Sequence, residues 1–201
     1  MAVYYYKGAQ IVTPFTITSN EPMFDVDTVS LTKQRASQGS QRWELEFNTV
    51  GTPDTVQDML LASVTSVQDV DTMLMPQLSI VDELHTLTNT STPVAEAGAI
   101  GDTTIVMQAA GTSGTVFKGT FFKFSNHDKI YLTTADCNFD STNPTLSFYP
   151  ALRKITSTSH RMKTGAEAIL TYYKDIDNMA GITFSDGVLS NSGTIRLIEA
   201  L

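Results

Sequence analysis

The chain has one cysteine, Cys137, and three widely spaced histidines, His85, His127 and His160. A single thiol excludes an intrachain disulfide and a cysteine-based zinc cluster, and it points to manufacture in a reducing cytoplasm. No His-x-x-x-His pair is present to seed a zinc site. No run of about 18 apolar residues occurs, so neither a transmembrane helix nor a membrane partner is expected. The N-terminus, Met1-Ala-Val-Tyr-Tyr-Tyr-Lys7, lacks the basic start and apolar stretch of a signal peptide. Neither Gly-x-x-x-x-Gly-Lys-Ser/Thr nor a strand-borne Gly-x-Gly-x-x-Gly is found, which removes the common nucleotide cradles. The Gly-x-Ser-x-Gly nucleophile elbow is missing as well. Asp175-Ile-Asp177-Asn178 opens like a calcium loop but has no glycine at the sixth loop position and no glutamate at the twelfth. Cys137 sits between Asp136 and Asn138, with no cationic neighbour in sequence to activate it. These gaps leave no catalytic constellation; no enzyme activity, cofactor or metal is expected.

Basic charge is also short. There are 13 Lys and Arg residues against 21 Asp and Glu, a net of −8. Proteins that grip nucleic-acid phosphates need Lys and Arg to displace counterions, so no such grip is expected. The deficit is uneven. Residues 93–172 carry seven basic and six acidic side chains, whereas the flanks hold six basic against fifteen acidic. Two kinds of surface in one chain imply two domains.

What the chain does have is strand patterning. In Arg42-Trp-Glu-Leu-Glu-Phe-Asn48, Trp43, Leu45 and Phe47 point one way, while Arg42, Glu44, Glu46 and Asn48 point the other. Glu44 and Glu46 read as a solvated stripe rather than paired catalytic acids. Ala2 to Tyr6 and Asp25 to Leu31 are further strand candidates. Thr52-Pro-Asp54 has the chemistry of a helix start, and Val56, Met59, Leu60, Val67 and Leu74 follow at three- and four-residue steps, with Pro76 as the stop. The methionines of this stretch, Met59, Met73 and Met75, read as packing residues.

Thr86 to Pro93 has a linker composition. Beyond it, short strands are expected around Thr103 to Met107, Phe121 to Ser125, Lys129 to Thr133, Thr145 to Tyr149 and Glu167 to Tyr172. The turn Ser125-Asn-His-Asp128 reverses the chain between two of them, and His127 reads there as a hydrogen-bonding turn residue. Five short strands in about 80 residues suit a small closed barrel of the oligonucleotide/oligosaccharide-binding (OB) type. Two last strands, Gly181 to Phe184 and Gly193 to Ile198, belong by charge with the N-terminal part. The expected fold is therefore mainly β. A discontinuous sandwich- or barrel-like domain with one helix (residues 1–90 and 174–201) carries an inserted OB-like barrel (residues 91–173). On that barrel Phe148 and Tyr149 are candidates to stack on a glycan.

The string Gly119-Thr-Phe-Phe-Lys-Phe-Ser-Asn-His-Asp-Lys-Ile-Tyr131, followed by Leu146-Ser-Phe-Tyr-Pro150 and Asn191-Ser-Gly-Thr-Ile-Arg-Leu-Ile-Glu-Ala-Leu201, resembles the distal tail (tail hub) proteins of long-tailed bacteriophages. The likeness is to the branch with an additional OB barrel, and it runs from about residue 20 onward. It implies a virion protein, made in the host cytoplasm. Copies would form a homohexameric ring at the end of the tail tube, contacting the tail tube protein on one side and a baseplate hub or tail tip protein on the other. Genomic DNA would pass through the lumen without being gripped, and an acidic lumen suits that passage. Asp25, Asp27, Glu44 and Glu46 are the lumen candidates. Val56, Met59, Leu60 and Val67 are candidates for the ring interface, which closure requires to be heterologous. A carbohydrate-binding module for host-surface recognition is the competing expectation.

Overall fold

Apolar residues at two-residue spacing recur along the chain, and strands are what they produce: the protein is mainly β. The computed structural model describes residues 4–27, 33–37, 40–50, 56–58, 62, 70–75, 87–88, 91–109, 111–140, 142–175, 183–185, 188–191 and 193–201. In chain order the first strands are β1 (Tyr5–Tyr6), β2 (Ala9–Asn20), β3 (Met23–Asp27), β4 (Lys33–Ser37) and β5 (Arg42–Val50). There follow β6 (Asp71–Leu74), β7 (Ser91–Pro93), β8 (Thr104–Val106), β9 (Thr115–Val116), β10 (Phe121–Phe124), β11 (Ile130–Thr133) and β12 (Cys137–Asn138). The last are β13 (Thr145–Tyr149), β14 (Arg161–Thr164), β15 (Ile169–Lys174), β16 (Thr183–Ser185), β17 (Val188–Asn191) and β18 (Thr194–Glu199). The backbone is helical at residues 56–58 and at 62. The chain divides into two compact units, one drawn mainly from residues 71–171 and the other from residues 3–70 and 172–200.

In the discontinuous unit the sheet runs β1–β2–β5–β18–β15, every pair antiparallel. Its first turn is tight because Lys7 and Gly8 both take positive φ (48° and 85°), the signature of a two-residue hairpin. A Cβ on Gly8 would lie 2.7 Å from Asp58 Oδ2, so glycine there also makes room for the helical segment. The β5 pattern is as its sequence requires: Trp43, Leu45 and Phe47 are buried, and Arg42, Glu44, Glu46 and Asn48 lie on the other face. The apolar face is completed by Tyr6, Tyr172, Ile195 and Leu197. Tyr6 meets the Phe47 ring edge-on at 5.3 Å, and Phe15 stacks on it at 5.7 Å. Such pairs contribute about 0.5–1.5 kcal/mol beyond their buried area.

The second unit is a barrel-like sheet in the order β7–β14–β10–β11–β13–β8. Its two edge strands then meet. Val94 bridges Met107, the Ala95 N–H donates to the Val106 carbonyl at 2.9 Å, and the Gln108 N–H donates to the Pro93 carbonyl at 2.9 Å. This closure removes an exposed sheet edge. A separate β9–β12 pair lies beside it. Phe122, Phe124, Tyr131 and Phe148 fill the interior with ring centroids 5.4–5.9 Å apart. Leu146, Met107, Met162 and Leu152 pack around them. Gly98 is needed at this core, since a Cβ there would sit 2.6 Å from Leu152 Cδ1.

Three expectations are corrected. Residues 71–74, expected to continue the helix, form strand β6: exposure alternates along Asp71-Thr-Met-Leu74, and the next N–H, of Met75, donates to the Ala168 carbonyl at 2.9 Å. Met75 itself is fully buried, as a packing methionine should be. The linker expected over Thr86 to Pro93 ends in strand β7, paired with β14. Thr and Ser there favour the extended backbone as readily as a loop, and Thr92 is fully buried. The barrel sheet also has six strands rather than five: β7 and Arg161-Met-Lys-Thr164 (β14) join it, while the strand expected over Glu167 to Tyr172 is β15, which pairs with β18 in the other sheet.

Candidate functional site

Among the described residues, no three or more His, Cys, Asp and Glu side chains gather as a metal-binding group. The chemistry on offer is that of charged sheet faces, exposed apolar ribbons and barrel loops.

On the polar face of β5, Glu44 and Glu46 do not behave alike. Arg196, on the neighbouring β18, hydrogen-bonds Glu44 Oε2 through one terminal nitrogen and lies 3.4 Å from Asp175 Oδ2 through the other. Asn20 Nδ2 donates to Glu44 Oε1 at 2.8 Å. The Glu44 and Asp175 side chains are each only 12% exposed. Burial raises the Glu44 pKa, but the hydrogen bonds from Arg196 and Asn20 and the Arg196 charge outweigh it, and the net shift is downward. Glu46 stands exposed and opposite Arg196 in the ladder. Glu44 is therefore one arm of an acid–arginine–acid clamp and not a freely solvated stripe residue. Arg196, the residue that converts it, was not singled out by the sequence pattern, because its partner is 152 positions away and only the β5–β18 register brings them together.

Asp25 and Asp27 lie on β3, which pairs with β4 as a two-stranded ribbon. Lys33 Nζ approaches Asp25 Oδ2 at 3.3 Å, an exposed pair. The same strand displays Met23, Phe24 and Val26, exposed by 50%, 62% and 60%. Phe24 and Val26 fall on one face by the two-residue period, with exposed Ala36 opposite Phe24. Of the ring-interface candidates, Val56 is half-buried in the helical segment. Met59, Leu60 and Val67 lie outside the described residues.

The glycan candidates on the barrel part ways. Phe148 is 2% exposed, at the centre of the aromatic core, so it has no free face on which a sugar could stack. Tyr149, one residue on, is half-buried. The signal that separates them is Leu146, buried two positions before Phe148 on the same side of β13. His127 is a hydrogen-bonding turn residue: Nδ1 lies 2.6 Å from the Tyr131 hydroxyl and Nε2 lies 3.0 Å from Thr156 Oγ1. Burial, reinforced by the Lys154 charge, lowers its pKa to about 4, so the ring is neutral at physiological pH. Cys137 is buried between strands, and burial pushes its thiol up to about 11, away from reactive thiolate.

Two comparisons bear on identity. No curated protein matches the chain. Residues 82–166 match the family model described as "Distal tail protein pb9, B domain". The matched span takes in every strand of the closed sheet, β7 to β14. It supports a structural role in a phage tail. Over that span the chain is similar to the B domain of a bacteriophage distal tail protein.

Proposed function

We propose that copies of this chain close into a hexameric ring at the distal end of a phage tail tube and join the tube to a baseplate hub or tail tip protein. The discontinuous unit forms the ring in this reading, and the 71–171 unit is an OB-type barrel. The family match supports the location in the virion tail. The observation that carries self-assembly is the β3–β4 ribbon. A two-stranded hairpin is marginal in water, and this one holds Phe24 and Val26 more than half exposed on one face. Burying such side chains stabilises by about 1.5–3 kcal/mol each, a gain that a neighbouring copy supplies. A ring needs each copy to offer one patch and receive a different one; the residues Val56, Met59, Leu60 and Val67 are the proposed receiver. The polar face of β5 lines the lumen, with Glu46 as its exposed acid and Glu44 held by Arg196. Asp25 and Asp27 sit on the ribbon that reaches the neighbour.

Light scattering after size-exclusion chromatography, with negative-stain electron microscopy, tests this reading. The native chain is expected as sixfold rings at high concentration. A Phe24→Ser, Val26→Ser double variant is expected as a monomer with an unchanged far-ultraviolet circular dichroism spectrum. A native chain that stays monomeric at high concentration and in the presence of tail tube protein would falsify the proposal.

A further inference from the structure

A cleft of about 580 Å³ lies on the barrel between two loops, one leading from β8 to β9 and the other from β12 to β13. Gln108, Thr112, Ser113, Asp140, Thr142 and Asn143 line it. Its size falls within the range of small-molecule sites, about 300–1,000 Å³. Among the described residues the lining is made of amides, hydroxyls and one carboxylate, and no lysine or arginine contributes. Phe139, almost wholly buried, adds an aromatic surface behind the polar rim.

Two features show that the cleft is built rather than incidental. The loops are tied to each other: the Phe139 N–H donates to the Gly114 carbonyl at 2.8 Å, and the Gly114 N–H donates to Asp140 Oδ1 at 3.1 Å. Asp140 in turn donates its own N–H to Asn138 Oδ1 at 2.8 Å. The carboxylate is thus oriented through one oxygen. The second feature is Thr112, which is 6% exposed and whose buried Oγ1 has no hydrogen-bond partner among the described residues. A buried hydroxyl left unpaired costs about 1–3 kcal/mol, and of the unpaired buried side-chain atoms among the described residues Thr112 Oγ1 is the one that lines this cleft.

We propose that this cleft binds an uncharged polyhydroxyl ligand, a neutral oligosaccharide. Vicinal hydroxyls need donors and acceptors side by side, which Gln108, Asn143 and Thr142 supply, and a fixed carboxylate accepts from them most strongly. The lack of any cation among the described lining residues disfavours phosphorylated or uronic sugars, and it disfavours nucleic acid for the same reason. The site is separate from Phe148 and Tyr149, and it does not rest on ring assembly.

The experiment uses the full chain. A glycan array displaying neutral and anionic oligosaccharides identifies the strongest probe, and a ¹⁵N-resolved titration with that sugar follows. Saturable binding to a neutral glycan is expected, with shifts at the amides of residues 108–114 and 138–143. Asp140→Asn keeps the oxygen that accepts from Gly114, so the loop stays tied, and it is expected to weaken binding by roughly tenfold, the worth of one charge-assisted bond. Thr112→Val keeps the shape while removing the unpaired hydroxyl; it should bind more weakly yet melt no lower than the native chain. Silence across the neutral glycans, a preference for anionic ones, or binding indifferent to both variants would each overturn the assignment. Ring formation is read separately by light scattering, so either proposal can fail alone.

Discussion

His127 contributes to the acid response of the barrel. An exposed imidazole protonates near pH 6.5, whereas His127 in the fold stays neutral to about pH 4 because it is buried and faces Lys154. The unfolded chain therefore binds the additional proton first as the pH falls. Stability is full above about pH 6.5 and is lost progressively toward pH 4. Between pH 7 and pH 5 the loss is about 2 kcal/mol. Thermal melts should show this drop, and His127→Gln should flatten it while lowering stability at pH 7; a variant whose melting falls as steeply as the native chain's would remove His127 as the source. The role of His127 was legible from its place in Ser125-Asn-His-Asp128, where a turn needs side-chain hydrogen bonds. Its partners Tyr131 and Thr156 were not, since one of them is 29 positions distant. Phe148 shows the complementary error: aromatic character suggested a binding face, but a closed sheet turns one side of every strand inward.

Among the elements, β5 was readable from sequence over Arg42 to Asn48 because its alternation is unbroken there, and the strand continues to Val50. Strand β2, longer at twelve residues, was not. Pro14 interrupts its pattern, and a proline in a run argues against a paired strand. The fold absorbs it with a register shift between Val12 and Thr16, the place where a ladder can do without one N–H. Residues 71–74 misled for another reason: apolar side chains at three- and four-residue steps fit a helix, and only the partner strand decides otherwise. The β5–β18 pairing carries its own test. Because the Glu44 pKa is depressed in the fold, its contribution is present above the ordinary value of 4.5 and is lost as the pH falls below it. Arg196→Met should cost about 1 kcal/mol at pH 7, the scale of a partly exposed ion pair. Urea unfolding at pH 3.5 should show a smaller deficit than at pH 7. An equal deficit at both would mean that packing, not charge, is what Arg196 provides.

At the scale of the whole molecule, charge is the property that assembly must contend with. Each copy carries a net −8, concentrated outside residues 93–172. In the proposed ring, like-charged units face one another, and mobile ions screen that repulsion over about 10 Å at 0.1 M salt. Raising salt from about 0.05 to 0.5 M should therefore shift sedimentation toward the assembled species, as expected when screening relieves self-repulsion. Dissociation by salt would show instead that ion pairs across the interface hold the ring. The β3–β4 ribbon left no mark in the sequence, because an exposed apolar strand reads like any other half-buried one.

The seam at Val94 and Met107 also bears on how the barrel comes into being. Its two residues are thirteen positions apart, yet they join the first and last strands of the closed order. Short loops close at little entropic cost, so the contact that completes the cylinder is among the easiest to make. The slow step falls instead to β14, which must travel back to reach β7 and β10 after the rest of the sheet is laid down. Substitutions at Met162 should accordingly retard refolding more than substitutions at Met107, a ranking that stopped-flow kinetics can reverse.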